Sequence, residues 1–261
     1  MNSLLCMPFF HKKLNNLLIL LVLSLFPMLG YSQVLRLAVA SNFINSAKEL
    51  VRHFSEQSGY QTSISSGSTG KFYAQITQGA PFDVFLAADK QTPEKLVKDG
   101  LAVESMLFDY ARGKLVFVSL TQSSNLSAEQ VLRDAKFNKL SVANPDLAPY
   151  GKAALQTLDH LGLRQKVEKQ IVMAENIGQA AQFVLSGNAQ AGFLPLSMVL
   201  EAQQTQKIEW KSWSIPATWY SPIIQTAVVL KKSESNAAAI AFMKFLQSEQ
   251  ARRIIESHGY D

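Results

Sequence analysis

From residue 34 to residue 230, short apolar runs alternate with amphipathic stretches, and no other feature constrains the fold as strongly. VLRLAVA (34–40) is an apolar run of strand length. After it, SNFINSAKELVRHFSEQSG sets Phe43, Ala47, Leu50, Val51 and Phe54 at helical spacing. Ser41 or Asn42 is placed to cap that helix. YQTSISS, DVFLAAD and GKLVFVSL (113–120) read as further strands, separated by the helical segments KFYAQITQG and TPEKLVKDG, the latter closed by Gly100. The alternation then restarts with helix SAEQVLRD, strand KLSVANP, helix YGKAALQTLDHLG, strand KQIVMAE, helix IGQAAQFVLSG and strand QAGFLPL. PIIQTAVVL (222–230) is a last strand, and ESNAAAIAFMKFLQSEQARRIIESHGY a long terminal helix.

Repeated β–α units predict mostly parallel sheets flanked by helices on both faces. Two such blocks predict two α/β lobes. No Gly/Ser-rich tether separates the blocks, so the lobes are expected to be joined by strands, with LVFVSL and PIIQTAVVL as the crossing candidates. That assignment makes one lobe discontinuous, residues 33–113 with 222–261, and gives 114–221 to the other.

The first residues depart from this pattern. Lys12 and Lys13 precede the greasy run LLILLVLSLFPMLG, and small residues lead to Ser32, the order of a secretory signal peptide over 1–32. Pro27 interrupts the run, which falls short of the roughly 20 apolar residues that a bilayer span requires. The single cysteine, Cys6, lies in this leader, so the mature chain is expected to carry no thiol, disulfide or Cys-ligated metal. Removing Lys12 and Lys13 from the 25 basic residues leaves 23 against 20 acidic, a formal charge of +3. So mild and evenly spread an excess argues against a nucleic-acid partner.

GSTGK (67–71) raises the question of phosphate binding. A nucleotide P-loop has four residues between its glycines and a Ser or Thr after its Lys. Here only Ser68 and Thr69 separate Gly67 from Gly70, and Phe72 follows Lys71. A smaller anion fits better, because free amides and two hydroxyls stand at the positive end of a helix; viewed alone, a simple capping turn fits equally well. AVASNF, NPDLAPYGKAAL and AENIGQAA repeat the strand-to-helix design, and four such ends facing one cleft would form a cage of neutral donors. Catalytic readings find little. His53, His160 and His258 lie in or near helix ends without a matching acid and serine, and no cluster has metal-ligand spacing. Asp83 and Asp89 flank one strand, where a carboxylate pair or simple caps are both conceivable. Trp210, Trp213 and Trp219 cluster in IEWKSWSIPATWY, fitting a hinge, a partner surface or packing.

AVASNFINSAKEL, SSGSTGKFYAQITQGAPFDVFLAAD, SVANPDLAPYGKAALQTLDHLG and AENIGQAAQFVLSGNAQAGFLPLS together resemble the periplasmic molybdate-binding proteins of ABC transporters, in the same order and over nearly the whole mature chain. The resemblance implies a two-lobed type II binding-protein fold that closes on molybdate or tungstate. It also implies a periplasmic, monomeric, non-enzymatic protein that hands its anion to a membrane permease and needs no cofactor. Carried over residue by residue, the ligand set falls on Ser41 and Asn42, Ser68 and Thr69, Tyr150, and the main-chain amide of Ile177. Some family members supply a tyrosine hydroxyl where this chain has Pro195, so the donor there is expected from Tyr150 or is missing. Lys71 is expected to be a bystander. The alternatives are a site for another tetrahedral oxyanion, sulfate or phosphate, and an enzyme acting on a small acidic metabolite.

Overall fold

A computed structural model describes residues 34–120, 125–205 and 209–261; the leader expected over 1–32 lies outside them. The strands are β1 (Leu35–Ala40), β2 (Thr62–Gly67), β3 (Val84–Leu86), β4 (Phe108–Gly113), β5 (Leu115–Ser119), β6 (Leu140–Ala143), β7 (Ile171–Ala174), β8 (Ala191–Pro195), β9 (Lys211–Ser214) and β10 (Ile223–Val229). The helices are α1 (Ile44–Ser58), α2 (Thr69–Thr77), α3 (Gln91–Lys98), α4 (Ala128–Asp134), α5 (Pro149–His160), α6 (Arg164–Val167), α7 (Ile177–Leu185), α8 (Leu196–Thr205), α9 (Ala237–Leu246) and α10 (Glu249–Ser257). Among the described residues, no helix is long and apolar enough to cross a membrane.

The strands form two five-stranded sheets, ordered β2-β1-β3-β10-β4 and β7-β6-β8-β5-β9, the two-lobed architecture that the resemblance implies. Both are mixed rather than mostly parallel. β1 runs parallel to β2 and β3, and β6 to β7 and β8, whereas β10 and β5 pair antiparallel with both of their neighbours. The chain crosses between sheets at Lys114, which alone separates β4 from β5, and again over 215–222. The apolar strands expected to cross, β5 and β10, instead begin just after these crossings, each wholly within one sheet.

β1 is buried on both faces because helices cover both. Leu35, Leu37 and Val39 pack with Phe43, Leu50, Phe54 and Phe242 on one side, and Ala38 with Phe72, Ile76 and Phe85 on the other. One cluster running through Phe117, Val142, Leu158 and Phe193 fills the second sheet's surroundings. Several elements escaped the sequence pattern, among them the helices α6 and α8. β4 is an edge strand that turns Asp109 and Arg112 outward, and β9 alternates half-buried and exposed positions, so neither makes an apolar run. The terminal helix is two helices, because Ser248 caps a new one, its Oγ accepting from Ala251 N–H at 3.2 Å.

Candidate functional site

Register brings the chemically interesting turns together. Ala40 pairs with Gly67 at the ends of β1 and β2, so the turns beginning at Ser41 and Ser68 emerge side by side. Ala143 pairs with Ala174 at the ends of β6 and β7, bringing the approaches to α5 and α7 level in the other sheet. These strand ends face one another, as expected for ligand sites of open α/β sheets. Between them lies a small pocket of about 10 Å³, room for roughly one water by the usual occupancy threshold. Ser41, Asn42, Ser68, Thr69, Tyr150 and Ile177 all line it, with Ala88 and Pro149 among their neighbours, and no charged side chain does. Wider clefts adjoin it, one of about 530 Å³ that shares Ala88 and Pro149, the other of about 360 Å³ that shares Ser41.

The hydroxyls are held in a consistent way. Ser41 Oγ accepts from Gly178 N–H across the two sheets (3.2 Å), Ser68 Oγ from Lys71 N–H (3.4 Å), and Thr69 Oγ1 from Ala88 N–H (3.0 Å). A hydroxyl has one proton to donate and two lone pairs to accept with. Each oxygen is therefore fixed through a lone pair while its proton stays available. Tyr150 is buried and its hydroxyl has no partner among the described residues; burial, with neighbouring tyrosines, pushes its ionisation well above the ordinary 10, so it remains a donor.

Helix starts add main-chain donors. In the first turn of α2, Gly70 N–H goes to Leu147 O (3.0 Å) and Lys71 N–H to its cap, leaving Thr69 N–H. In α7, Gly178 N–H goes to Ser41 and Gln179 N–H to Asn176 Oδ1 (2.9 Å), leaving Ile177 N–H. The positive ends of both helices point at the same small volume. Gly151 fixes how closely α5 approaches, because a Cβ there would stand 2.0 Å from Ala143 O, and this seats Tyr150 over the end of β6.

Several expectations change. Ser41 and Asn42 do not cap α1; they lie in a short 3-10 turn preceding it, with no side-chain cap bond. Both Asn42 amide protons are taken, by Gln225 Oε1 (2.8 Å) and Tyr260 OH (3.2 Å), so the side chain has no donor left for the cavity. Pro195 ends β8 opposite Leu115, outside the cavity wall. Lys71 is no bystander to the structure: Nζ meets Glu175 Oε1 at 2.6 Å across the two sheets, and that bond holds Glu175 below the usual carboxylate range.

The carboxylates at the ends of β3 do not converge. Asp83 accepts from Arg36 N–H (2.7 Å) and Ser233 Oγ (2.7 Å), while Asp89 caps α3 through Thr92, its ionisation raised by burial. Trp219 stacks on His160 and meets Trp213 edge-on, with Arg133 near both rings, a packing cluster away from the cavity. What the sequence pattern missed is the layer behind the cage. Gln225, Tyr110, Tyr260 and Ser197 are buried and bonded to one another or to Asn42. Gln225 was the available signal, being the one amide in the apolar run PIIQTAVVL.

Residues 35–261 match the family of bacterial extracellular solute-binding proteins. The molybdate-binding protein ModA of Azotobacter vinelandii is 40% identical over 95% of this chain and 97% of its own, and ModA of Rhodobacter capsulatus 40% identical over 85% and 86%. The solved periplasmic molybdate-binding protein of Azotobacter vinelandii superposes with a TM-score of 0.80 at 38% identity, covering 87% of this chain and 98% of that one.

Proposed function

We propose that this chain, which belongs to the family of bacterial extracellular solute-binding proteins, captures molybdate or tungstate in the cavity between its two sheets and delivers it to an ABC-transporter permease. The observation that carries this reading is the wall composition: hydroxyls whose oxygens are pinned by main-chain N–H groups, free first-turn amides, and no charged side chain. Hydrogen bonds to a fully charged oxyanion are charge-assisted and individually strong, and the helix ends add a diffuse positive potential. A wall dominated by donors also favours an anion with no proton of its own, because a protonated phosphate would point its O–H at donors. On this reading Ser41, Ser68, Thr69 and Tyr150 donate through hydroxyls and Ile177 through its amide, and the hydroxyl that Pro195 lacks comes from Tyr150.

The lobes of the proposal are residues 33–113 with 222–261, and 114–221, a division supported by strand membership. Hinge rotation at Lys114 and 215–222 would widen this narrow pocket for a four-oxygen anion and tighten it around the bound form. Placement in the periplasm is supported by the solved periplasmic relative and the leader-like composition of residues 1–32, and the proposal takes the protein to act as a monomer. Calorimetric titration with molybdate, tungstate, sulfate and phosphate tests the assignment. Sub-micromolar molybdate binding with no detectable sulfate binding is expected; tight sulfate or phosphate binding would overturn it.

A further inference from the structure

Three polar groups near the cage are buried without a partner among the described residues: Asn42 Oδ1, Gln225 Nε2 and Tyr150 OH. Such groups are rare in protein interiors and call for an explanation. Gln225 Nε2 and Tyr150 Oη lie 3.2 Å and 2.0 Å from one point, the position that a Cβ on Gly113 would occupy, so the bare backbone of Gly113 is what admits both. Gln225 Oε1 meanwhile accepts from Asn42 Nδ2 (2.8 Å) and Tyr110 OH (3.1 Å). The Asn42 carboxamide thus gives its donors to the layer behind the cage and keeps an unpaired acceptor, the wrong polarity for a wall around an anion.

The nitrogen and oxygen of a carboxamide are nearly equal in size and opposite in role. If Asn42 and Gln225 turn over together, the contact between them survives with its direction reversed. Tyr260 OH, which now accepts from Asn42 Nδ2 at 3.2 Å, moves its proton from Asn42 O to Asn42 Oδ1, leaving Asn42 O to Ser197 Oγ (3.4 Å). Gln225 Nε2 then donates to Asn42 Oδ1 and to Tyr110 OH, which can still donate to Ala87 O as it does now at 3.1 Å. Asn42 Nδ2 takes the place of the unpaired Oδ1. We propose that Gln225 is a positioning residue for the anion site: paired with Asn42 it forms a reversible relay, and the bound oxyanion selects the orientation in which Asn42 donates. The inference rests on the oxyanion reading above and extends it to a residue outside the cavity wall. An anion gains from the turned pair because the turn replaces a repelling lone pair with a charge-assisted bond.

The test measures molybdate affinity of the full mature protein and of the Gln225→Met, Asn42→Ala, double and Gln225→Glu variants, with thermal unfolding to confirm folding. Gln225→Met removes the relay and is expected to weaken binding about tenfold. In the Asn42→Ala background the same change should cost less than about threefold, because Gln225 acts through Asn42. Gln225→Glu separates polarity from shape. Its carboxylate only accepts, locking Asn42 in the unturned state, whereas its protonated form can donate. Affinity should therefore recover at least about tenfold between pH 8 and pH 6, while the wild type changes little. The titratable groups facing Gln225 are the phenols of Tyr110 and Tyr150, with Tyr260 behind Asn42 and Asp89 beyond Tyr110, and the phenols stay protonated throughout that range. Equal losses from Gln225→Met with and without Asn42 would overturn the relay, as would a Gln225→Glu protein whose affinity is flat with pH. Should Gln225→Met fail to fold, the pH profile of Gln225→Glu with and without Asn42→Ala decides: the relay requires the recovery to shrink when Asn42 is absent, whereas direct repulsion of the anion would leave it unchanged and overturn the relay. If the wild type itself fails to bind molybdate, the oxyanion reading falls; if it binds and the variants match it, only the relay does.

Discussion

Replacing Thr69 by valine keeps the branched shape and removes one hydroxyl, so it isolates what that group contributes. Two effects follow from the geometry. First, the hydroxyl proton is lost from the cage; a hydrogen bond to a charged partner is worth about 1.5–3 kcal/mol, so molybdate affinity should fall by about 10- to 150-fold. Second, Ala88 N–H, now donating to Thr69 Oγ1 at 3.0 Å in a buried setting, loses its acceptor. An orphaned buried donor costs about 1–3 kcal/mol, which should appear as lower stability even without ligand. Calorimetry measures the first and urea unfolding of the ligand-free protein the second. Thr69→Ser restores the oxygen and should recover most of both. A Thr69→Val protein that binds molybdate within threefold of wild type would refute the neutral-cage reasoning, whatever its stability.

Other expectations follow from single contacts. Gly113→Ala would set a Cβ 2.0 Å from Tyr150 Oη, so it should displace that hydroxyl and weaken binding by about tenfold or more, as read by titration; unchanged affinity would mean that Tyr150 does not donate. Lys71→Ala removes only a half-exposed ion pair with Glu175, and affinity should drop a few-fold at most and lose part of its salt dependence; a loss larger than that of Thr69→Val would show a cationic site. Tyr260 has its ionisation pushed up to about 12, chiefly by burial, so its contribution to stability is intact below pH 10 and disappears as pH climbs through 12. Tyr260 should account for about 2–3 kcal/mol of the fall in unfolding free energy across that window, read by urea titration as the difference in slope between the wild type and Tyr260→Phe.

How much of this the sequence carried depends on how local the cause is. The β–α alternation is legible because burying one helix stripe, or both faces of a central strand such as β1, imposes a period on neighbouring residues. The first-turn hydroxyls are legible for the same reason: a strand end followed by small polar residues and a helix start is a local motif, and Ser41, Ser68 and Thr69 all stand in one. The edge strand β4 was not, because a strand paired on one side and half exposed to solvent needs no apolar run.

Relations between distant segments were beyond the sequence. Nothing local to Asn42 says that its amide protons reach Gln225, 183 positions away, or that Tyr260, next to the last residue, donates to its carbonyl. Likewise Gly113 reads as an ordinary strand-end glycine until Tyr150 is seen to occupy the space of its missing side chain. Which groups can donate to an anion is legible in the residues alone, since it is a property of residue type and of helix starts. Which of those donors are already spent depends on the fold, because hydrogen-bond capacity is finite and its partners come from wherever the chain crosses.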